Sequence, residues 1–423
     1  MFAQTKSRLI KYFFFGNSIT DDGYLRLAYL LGRFLVFLPL SLCATLVLGI
    51  YSLFRPVKIF MLRCNRSKIS FIVEDLEVAL RIEAHNQKTT GARRPLIFAV
   101  LDCDSPNRAF TAMYGRVVPF LDDDRPFARG VIRYVLPIFR LSRQYLPNKS
   151  NDRLEIWARE APVLQFTESE VLAGKNLQRE LLGDDVKPFV CVGIAERVYY
   201  EQKNKSEHEV ESHLDLYSCM PEWKNYIPCT EALGKHAIKP VRMGQFVSKD
   251  LADIADSSIV DYASSARSEF GDVWLLANCK FVVVGATGMW WVSSAFNKPT
   301  VLTDSYTLNY SSFGKSDLNI FQLARSRTDK KLMPFEWIIK HNDWAQIRSL
   351  IDGDIEIVKN TAEEITEVVL EMNQRIDGTW VETDEDNELQ ERFKKLRQSQ
   401  PPWKVQQSVR IGAAFLRRYK HLL

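Results

Sequence analysis

The segment Phe34 to Phe54, FLVFLPLSLCATLVLGIYSLF, runs twenty-one residues without a charge. As a helix rising about 1.5 Å per residue it reaches ~30 Å, the thickness of the hydrocarbon layer of a bilayer. Arg33 stands before it, and Arg55 and Lys58 after it, where long basic side chains reach headgroups. Phe34, Leu35, Leu46, Leu48 and Phe54 are its expected lipid-facing residues. Core helices rarely run so long uncharged. The charged stretch before it and the lack of a small-x-small site after it argue against a cleaved signal peptide. Basic residues balance on the two sides, Lys6, Arg8, Lys11, Arg26 and Arg33 against Arg55, Lys58, Arg63, Arg66 and Lys68, so charge does not orient the segment. Pro39 and Gly49 leave open whether it crosses the membrane or dips into one leaflet. Seven cysteines without CxxC or Cys/His ligand spacing read as free thiols in a reducing compartment, with no metal site. The expectation is a membrane-associated protein whose remaining domains are cytoplasmic.

The chain as a whole is 46% hydrophobic and 26% charged, with a net charge of +4. So mild a charge excludes a whole-surface nucleic-acid binder. Short continuous apolar runs, each suited to a strand buried on both faces, alternate with helical stretches. They are Pro95–Leu101, Lys187–Ile194, Ala237–Met243, Lys280–Val284 and Pro299–Leu302, with Ile355–Val358 strand-like as well. After the first run, Ser105-Pro106 reads as a cap and first turn for a helix over 107–114. Ser265 to Asn278 reads as a helix. Asn360 and Glu363 read as the capping box of another, with Ile365, Val368, Val369 and Met372 as its apolar stripe. The pattern predicts an α/β protein of two Rossmann-like domains facing a cleft, behind an N-terminal hydrophobic membrane helix. The expected boundaries are 1–68 for the membrane-associated segment, 69–180 and 181–380 for the two domains, and 381–423 for a basic helical tail.

Three pieces of the second half carry candidate chemistry. Val241-Arg242-Met243-Gly244 ends a strand in an arginine and a glycine, and ligands of open α/β sheets bind outside the carboxyl ends of strands. An arginine there can fork onto a phosphate, or serve a structural salt bridge. Phe281 to Met289 runs from a strand through Gly285, Thr287 and Gly288 into a helix, a turn that lets backbone approach an anion. Glu269 and Asp272, three apart on one helix face, are either partners of the helix dipole or binders of sugar hydroxyls. Arg197 follows another strand. The acidic triplet Asp122-Asp123-Asp124 sits beside Arg125-Pro126 and reads as a solvated loop rather than a metal site. The polar stretch Glu201–Ser212 reads as an exposed insertion.

The block from Ile259-Val260-Asp261-Tyr262 through Ser268-Glu269-Phe270-Gly271-Asp272 and Gly285-Ala286-Thr287-Gly288 to Phe296-Asn297-Lys298-Pro299 resembles a bacterial family of glycosyltransferases associated with surface-polysaccharide genes. Lys187–Tyr200, Val241–Gly244 and Ile411–Leu416 fit the same pattern, while the first half matches only around Asn107–Arg116. The resemblance implies a GT-B-like, metal-independent transferase without a cofactor, in which the C-terminal domain holds a nucleotide sugar. It implies that Arg242, Gly244, Gly285, Thr287 and Gly288 face the diphosphate, with Glu269 and Asp272 on the nucleoside or sugar. The acceptor is then a glycan or a lipid-linked glycan. No general base is singled out; Asp102, Asp104, His213 and His236 are candidates. Ser218-Cys219-Met220-Pro221 departs from the family, which carries a basic residue near that point.

Arg392 to Lys420 holds nine Lys or Arg and no acid. It reads either as a lipid-facing strip or as a terminal helix packed on the fold. The alternative to an enzyme is a catalytically silent scaffold of a polysaccharide machine with a degenerate pocket. A Rossmann oxidoreductase is disfavoured, because no strand leads into a full G-x-G-x-x-G.

Overall fold

The computed structural model describes residues 23–55, 57–62, 69, 72–91, 96–101, 105, 107–120, 160–184, 187–203, 220–248, 259–285, 287–305, 314–341, 351, 353–398 and 410–423. They fall into two compact units. One draws on Met1–Ser67, Glu83–Pro106 and Tyr114–Asn148; the larger draws on Lys68–Ile82, Asn107–Met113 and Lys149–Leu423.

In the smaller unit, helix α1 (Gly23–Phe54) runs unbroken through Pro39. Its window Leu35–Phe54 has a mean hydropathy of 2.1 and is only 6% buried, so it is long and apolar enough to cross a membrane. Leu35, Leu46 and Phe54 are exposed, and Leu48 is half-buried. The hydroxyls of Ser41 and Thr45 donate to the carbonyls four residues back, at 2.6 and 2.7 Å, which satisfies them within the helix. After two more residues comes β1 (Val57–Leu62), a strand in a stretch read from sequence as juxtamembrane. It pairs in parallel with β2 (Leu96–Leu101); of the chain between them, the π-helical turn (Ile72–Glu77) and the start of α2 (Val78–Thr90) belong to the larger unit, and α2 from Glu83 onward to the smaller.

The larger unit is a mixed α/β structure built on a six-stranded parallel sheet. Helix α3 (Arg108–Gly115) starts where Asn107 Oδ1 accepts from the Phe110 N–H at 2.8 Å, so the cap is Asn107 rather than Ser105. Helix α4 (Glu168–Leu182) begins with a Thr167/Glu170 capping box. Then follow β3 (Phe189–Ile194), α5 (Arg197–Lys203), α6 (Ile227–Lys235), β4 (Lys239–Arg242), α7 (Tyr262–Ser265), α8 (Glu269–Asn278), β5 (Val282–Gly285), α9 (Met289–Ala295) and β6 (Thr300–Ser305). After β7 (Leu318–Phe321) come β8 (Leu323–Ser326), α10 (Phe335–Lys340), β9 (Ile355–Val358), α11 (Ala362–Ile376), α12 (Asp384–Gln398), β10 (Arg410–Ile411) and α13 (Ala413–Arg418).

The sheet order is β10-β7-β6-β5-β3-β4. Val260 adds a single parallel bridge to the outer side of β4. Counted in chain order with that bridge as the third strand, this is the 3-2-1-4-5-6 winding with one further strand, and it reverses direction between β3 and β5. Strands β3 and β5 are buried along their whole length, as their Val-rich runs require. Strand β9 departs from the parallel expectation, since it pairs antiparallel with β8 in a separate two-stranded sheet.

Two helix starts differ from their sequence reading. The stretch 265–278 is not one helix: α7 ends at Ser265, and α8 begins at Glu269 with Ser268 Oγ accepting from Gly271 N–H. In α11 the capping box is Thr361 with Glu364, one residue later than expected, because Asn360 bonds elsewhere. The C-terminal stretch is part of the core. Phe393 of α12 and Phe415 of α13 are buried against Phe321, with ring centroids 5.6 and 5.1 Å away. Burying each such ring stabilises by about 2–3 kcal/mol. Three of its arginines pair with acids of the fold: Arg410 with Glu382, Arg417 with Asp386, and Arg418 with Glu363 and Glu367. The described residues of this stretch thus fit the packed reading, with which the lipid-facing reading remains compatible.

Candidate functional site

At the carboxyl edge of the large sheet, β3 ends in Ala195-Glu196, β4 in Arg242, β5 in Gly285 and β6 in Asp304-Ser305. The Ala195 N–H donates to the Gly285 carbonyl at 2.9 Å, so the two strands flanking the reversal stay together to their ends. This is where open α/β sheets place ligands.

Arg242 is fully buried, and its two terminal nitrogens are already bonded while its Nε has no partner among the described residues. It bonds Glu196 Oε1 at 2.9 Å, Asp261 Oδ2 at 3.2 Å and the Ser248 carbonyl at 2.9 Å. Its guanidinium lies 5.3 Å from the Trp223 ring centroid. Glu196 in turn accepts from Trp223 Nε1 at 3.0 Å and Ser248 N–H at 2.9 Å. Of the two sequence readings of Arg242, the structural salt bridge is the one present. Two residues on, Gly244 has φ +159°, and a side chain there would meet Val247 Cγ1 at 2.5 Å.

The exposed arginine at this edge is Arg197, at the start of α5. Its side chain is 63% exposed and pairs with Glu201 at 2.6 Å, one turn along the helix. Such a surface pair contributes little stability.

The turn after β5 has two different ends. A Cβ at Gly285 would lie 2.2 Å from the Tyr226 hydroxyl and 2.9 Å from Pro221 Cγ, so this glycine makes room for the protein's own side chains. At Gly288 an added Cβ would meet nothing within 4 Å, and the residue is exposed. Thr287 is half-buried, and its Oγ1 accepts from Met289 N–H at 3.3 Å. Only the Thr287–Gly288 end is open to an incoming group.

Glu269 and Asp272 share the start of α8 but hold protein partners. Glu269 Oε2 accepts from the Arg108 N–H at 2.9 Å, and its carbonyl accepts from Asn107 Nδ2 at 2.9 Å. Asp272 binds Arg267 at 2.7 Å and lies 3.2 Å from the Tyr262 hydroxyl. Burial pushes the Asp272 carboxyl up to about 6, against the opposing pull of Arg267.

Of the base candidates, Asp102, Asp104 and His213 lie outside the described residues, as do the acidic triplet 122–124, the insertion 204–212 and Ser218-Cys219. His236 caps the C-terminus of α6, just before β4 begins. That puts it at the amino edge of the sheet, opposite the candidate site, and removes it as a base there. Among the described residues no three His, Cys, Asp or Glu side chains gather as a metal site. Cys191, Cys229 and Cys279 are buried free thiols, and burial raises the Cys229 thiol to about 12.

Two features escaped the sequence reading. One is Glu196, which organises Arg242, Trp223 and Ser248; an acid immediately after a buried strand was its only signal. The other is the buried set Tyr226, Thr303, Asp304 and Asn360. Its members lie up to 134 positions apart in the chain, and nothing local marks them as neighbours.

No protein-family model matches this chain, and no curated protein matches it. Among solved structures it is similar to a glycosyl transferase family 9 protein from Veillonella parvula DSM 2008, at 10% identity and a TM-score of 0.34, over 58% of this chain and 79% of that one. It is similar to the iron-containing dodecameric glycosyltransferase TibC from enterotoxigenic E. coli H10407, at 12% identity and a TM-score of 0.34, over 61% of this chain and 60% of that one. For the E. coli heptosyltransferase WaaC, solved with ADP-2-deoxy-2-fluoro heptose, the identity is 12%, the TM-score 0.23 and the coverage 59% and 64%. All three are glycosyltransferases. The chain spans less than two thirds of TibC and of WaaC. Likeness at this level does not transfer an activity.

Proposed function

We propose that the protein is a membrane-tethered glycosyltransferase that takes a sugar from a nucleotide-sugar donor, without a metal ion or cofactor, and passes it to a glycan or lipid-linked acceptor in surface-polysaccharide biosynthesis. The observation that carries the reading is the carboxyl edge of the six-stranded sheet. At its winding reversal an exposed arginine and an open Thr287–Gly288 turn follow the two adjacent strands. A diphosphate there would meet a cation and unencumbered backbone, the means by which a metal-free site steadies a leaving diphosphate. The resemblance of the 259–299 block supplies the reaction class.

The geometry shifts the expected roles. Arg197 takes the phosphate-facing part first given to Arg242. Arg242 and Glu196 hold the end of β4 and the 244–248 turn in place. Glu269 and Asp272, with protein partners already, contribute to the nucleoside or sugar only through atoms left over. In this reading residues 181–380 carry the donor and residues 69–180 take the acceptor. Helix α1, apolar and exposed over the length of a bilayer, is the tether, with the two domains that follow it at the cytoplasmic face.

The second reading, a catalytically silent scaffold, draws on one observation: three of the expected donor ligands, Arg242, Glu269 and Asp272, are already engaged with the protein. The two readings part on one experiment. The detergent-solubilised full chain is incubated with UDP-, GDP-, ADP- and dTDP-sugars, and release of the nucleoside diphosphate is followed by chromatography. An enzyme releases one of them faster than the Arg197→Ala variant does. Release of none of them, together with no nucleoside-diphosphate shift of the melting temperature, leaves the scaffold.

A further inference from the structure

Asp304 combines two costs at one point. It is a non-glycine residue in the left-handed region, φ +50°, and its carboxylate is 1% exposed. Strain and desolvation of this kind persist only where the surroundings impose them, and they concentrate at working parts of a fold. Here the surroundings are specific. Asp304 Oδ2 accepts from the Tyr226 hydroxyl at 2.8 Å, and Oδ1 accepts from Asn360 N–H at 2.8 Å and Gln322 Nε2 at 3.4 Å. The Asp304 N–H donates to Asn360 Oδ1 at 2.7 Å, closing a two-way clasp between the end of β6 and the start of α11. Thr303 Oγ1 lies 2.6 Å from the same Tyr226 oxygen and donates to the Val284 carbonyl at 3.2 Å. Tyr226 is fully buried, and its hydroxyl thus spans from β6 to the last residues of β5.

Gly285 is what this hydroxyl supports. A Cβ there would stand 2.2 Å from the Tyr226 oxygen, so backbone and hydroxyl are in contact with no slack. We infer that Asp304 and Tyr226 are positioning residues for the turn after β5: the carboxylate fixes the hydroxyl, the hydroxyl fixes Gly285, and Gly285 sets where the Thr287–Gly288 backbone meets the donor diphosphate. The role given to that turn rests on the transferase reading; the mechanical link from Asp304 to the turn does not.

The link carries a pH dependence. Burial pushes the Asp304 carboxyl up to about 6, opposed by the Asn360, Tyr226 and Gln322 donors and by Lys359. The charged groups around it are few. Lys359 is paired with Glu222, Glu364 meets Asn360, and Tyr226 is held neutral by burial. Below pH 6 the acquired proton turns one carboxylate oxygen into a donor and weakens what it accepts, and the hydroxyl of Tyr226 is the one of the three donors able to rotate in response.

The test uses the full chain in detergent and the variants Tyr226→Phe and Val368→Ala. The second trims a buried residue of α11 that packs beside Gly412 and serves as a matched loss of stability away from the turn. The first readout is hydrogen exchange of the peptide covering residues 285–291 without ligand. Tyr226→Phe is expected to speed exchange there by roughly tenfold, the equivalent of one lost hydrogen bond, while Val368→Ala leaves it within about twofold after correction for global stability. The second readout is affinity for ADP, UDP, GDP and dTDP at pH 7.5 and 5.5. The wild type is expected to bind more weakly at pH 5.5, and Tyr226→Phe to be weak and flat across both. Exchange at 285–291 that is unchanged in Tyr226→Phe overturns the inference, whatever the nucleotides do. Wild-type protein that binds none of the four diphosphates defeats the transferase reading, and the exchange result still decides the mechanical link.

Discussion

Two arginines follow neighbouring strands of the same sheet and have opposite surroundings. Arg242, at the end of β4, is fully buried between Glu196 and Asp261 and stacked by Trp223. Arg197, just past β3, has a side chain that is 63% exposed and counts Glu201, one turn along α5, among its partners. Both are "arginine at a strand's carboxyl end" in sequence. The difference teaches that residue type and position nominate a phosphate ligand, while burial and prior partners decide whether it is free to act. The buried arginine is a strut; the exposed one is the arginine proposed above to meet a ligand.

The largest expected effect is on the strut. Arg242→Ala leaves Glu196 with an uncompensated buried charge, which costs about 3–5 kcal/mol. The melting temperature should fall by on the order of 10 °C, read by circular dichroism or scanning fluorimetry. A variant that melts like wild type yet loses nucleotide affinity would invert the comparison. Next comes Arg197→Ala. Its melting temperature should stay within about 1 °C of wild type, while KM for the donor rises roughly ten- to a hundredfold, the range of a charge-assisted hydrogen bond.

A third test concerns the acid beside these struts. The Asp272 carboxyl is raised to about 6 folded, against about 3.9 in an unfolded chain, so the folded state binds its proton more tightly. Its charge is therefore a cost above pH 6, and its contribution to stability improves as pH falls from 7 to about 4. The change is on the order of 1–3 kcal/mol and is read as a melting-temperature gain on mild acidification that Asp272→Asn reduces. Glu222 and Asp386, whose pKa values are lowered, work in the opposite sense and limit the net gain. The smallest effect is expected from Thr287→Ala, a severalfold loss of donor affinity with no change in melting temperature, measured by the same kinetics.

The sheet was largely legible because its strands are buried on both faces and read as unbroken apolar runs. β3, β4, β5 and β6 all fall on such runs; β2 also falls on one, but it pairs with β1 in a separate sheet and its burial alternates. β7 and β10 did not stand out: Leu318–Phe321 contains a buried Asn319, and the two residues of β10 have almost no length to detect. β9 had the right local pattern and the wrong partner, since pairing direction is not written in a four-residue run. Capping was read one residue early at Asn360 because Asn and Thr are both good caps. Only the distant Asp304 decides between them by taking up Asn360. The turn after β5 was found from its glycines, but their roles were not separable. That Gly285 yields to Tyr226 while Gly288 stays open depends on residues about sixty positions away.

The central claim is that the carboxyl edge of the six-stranded sheet is a nucleoside-diphosphate site served by Arg197. Isothermal titration of the detergent-solubilised full chain with ADP, UDP, GDP and dTDP tests it most directly. The account predicts saturable binding of at least one of them to the wild type, weakened about tenfold or more in an equally stable Arg197→Ala protein. Binding of none, or equal binding by wild type and Arg197→Ala, would contradict it.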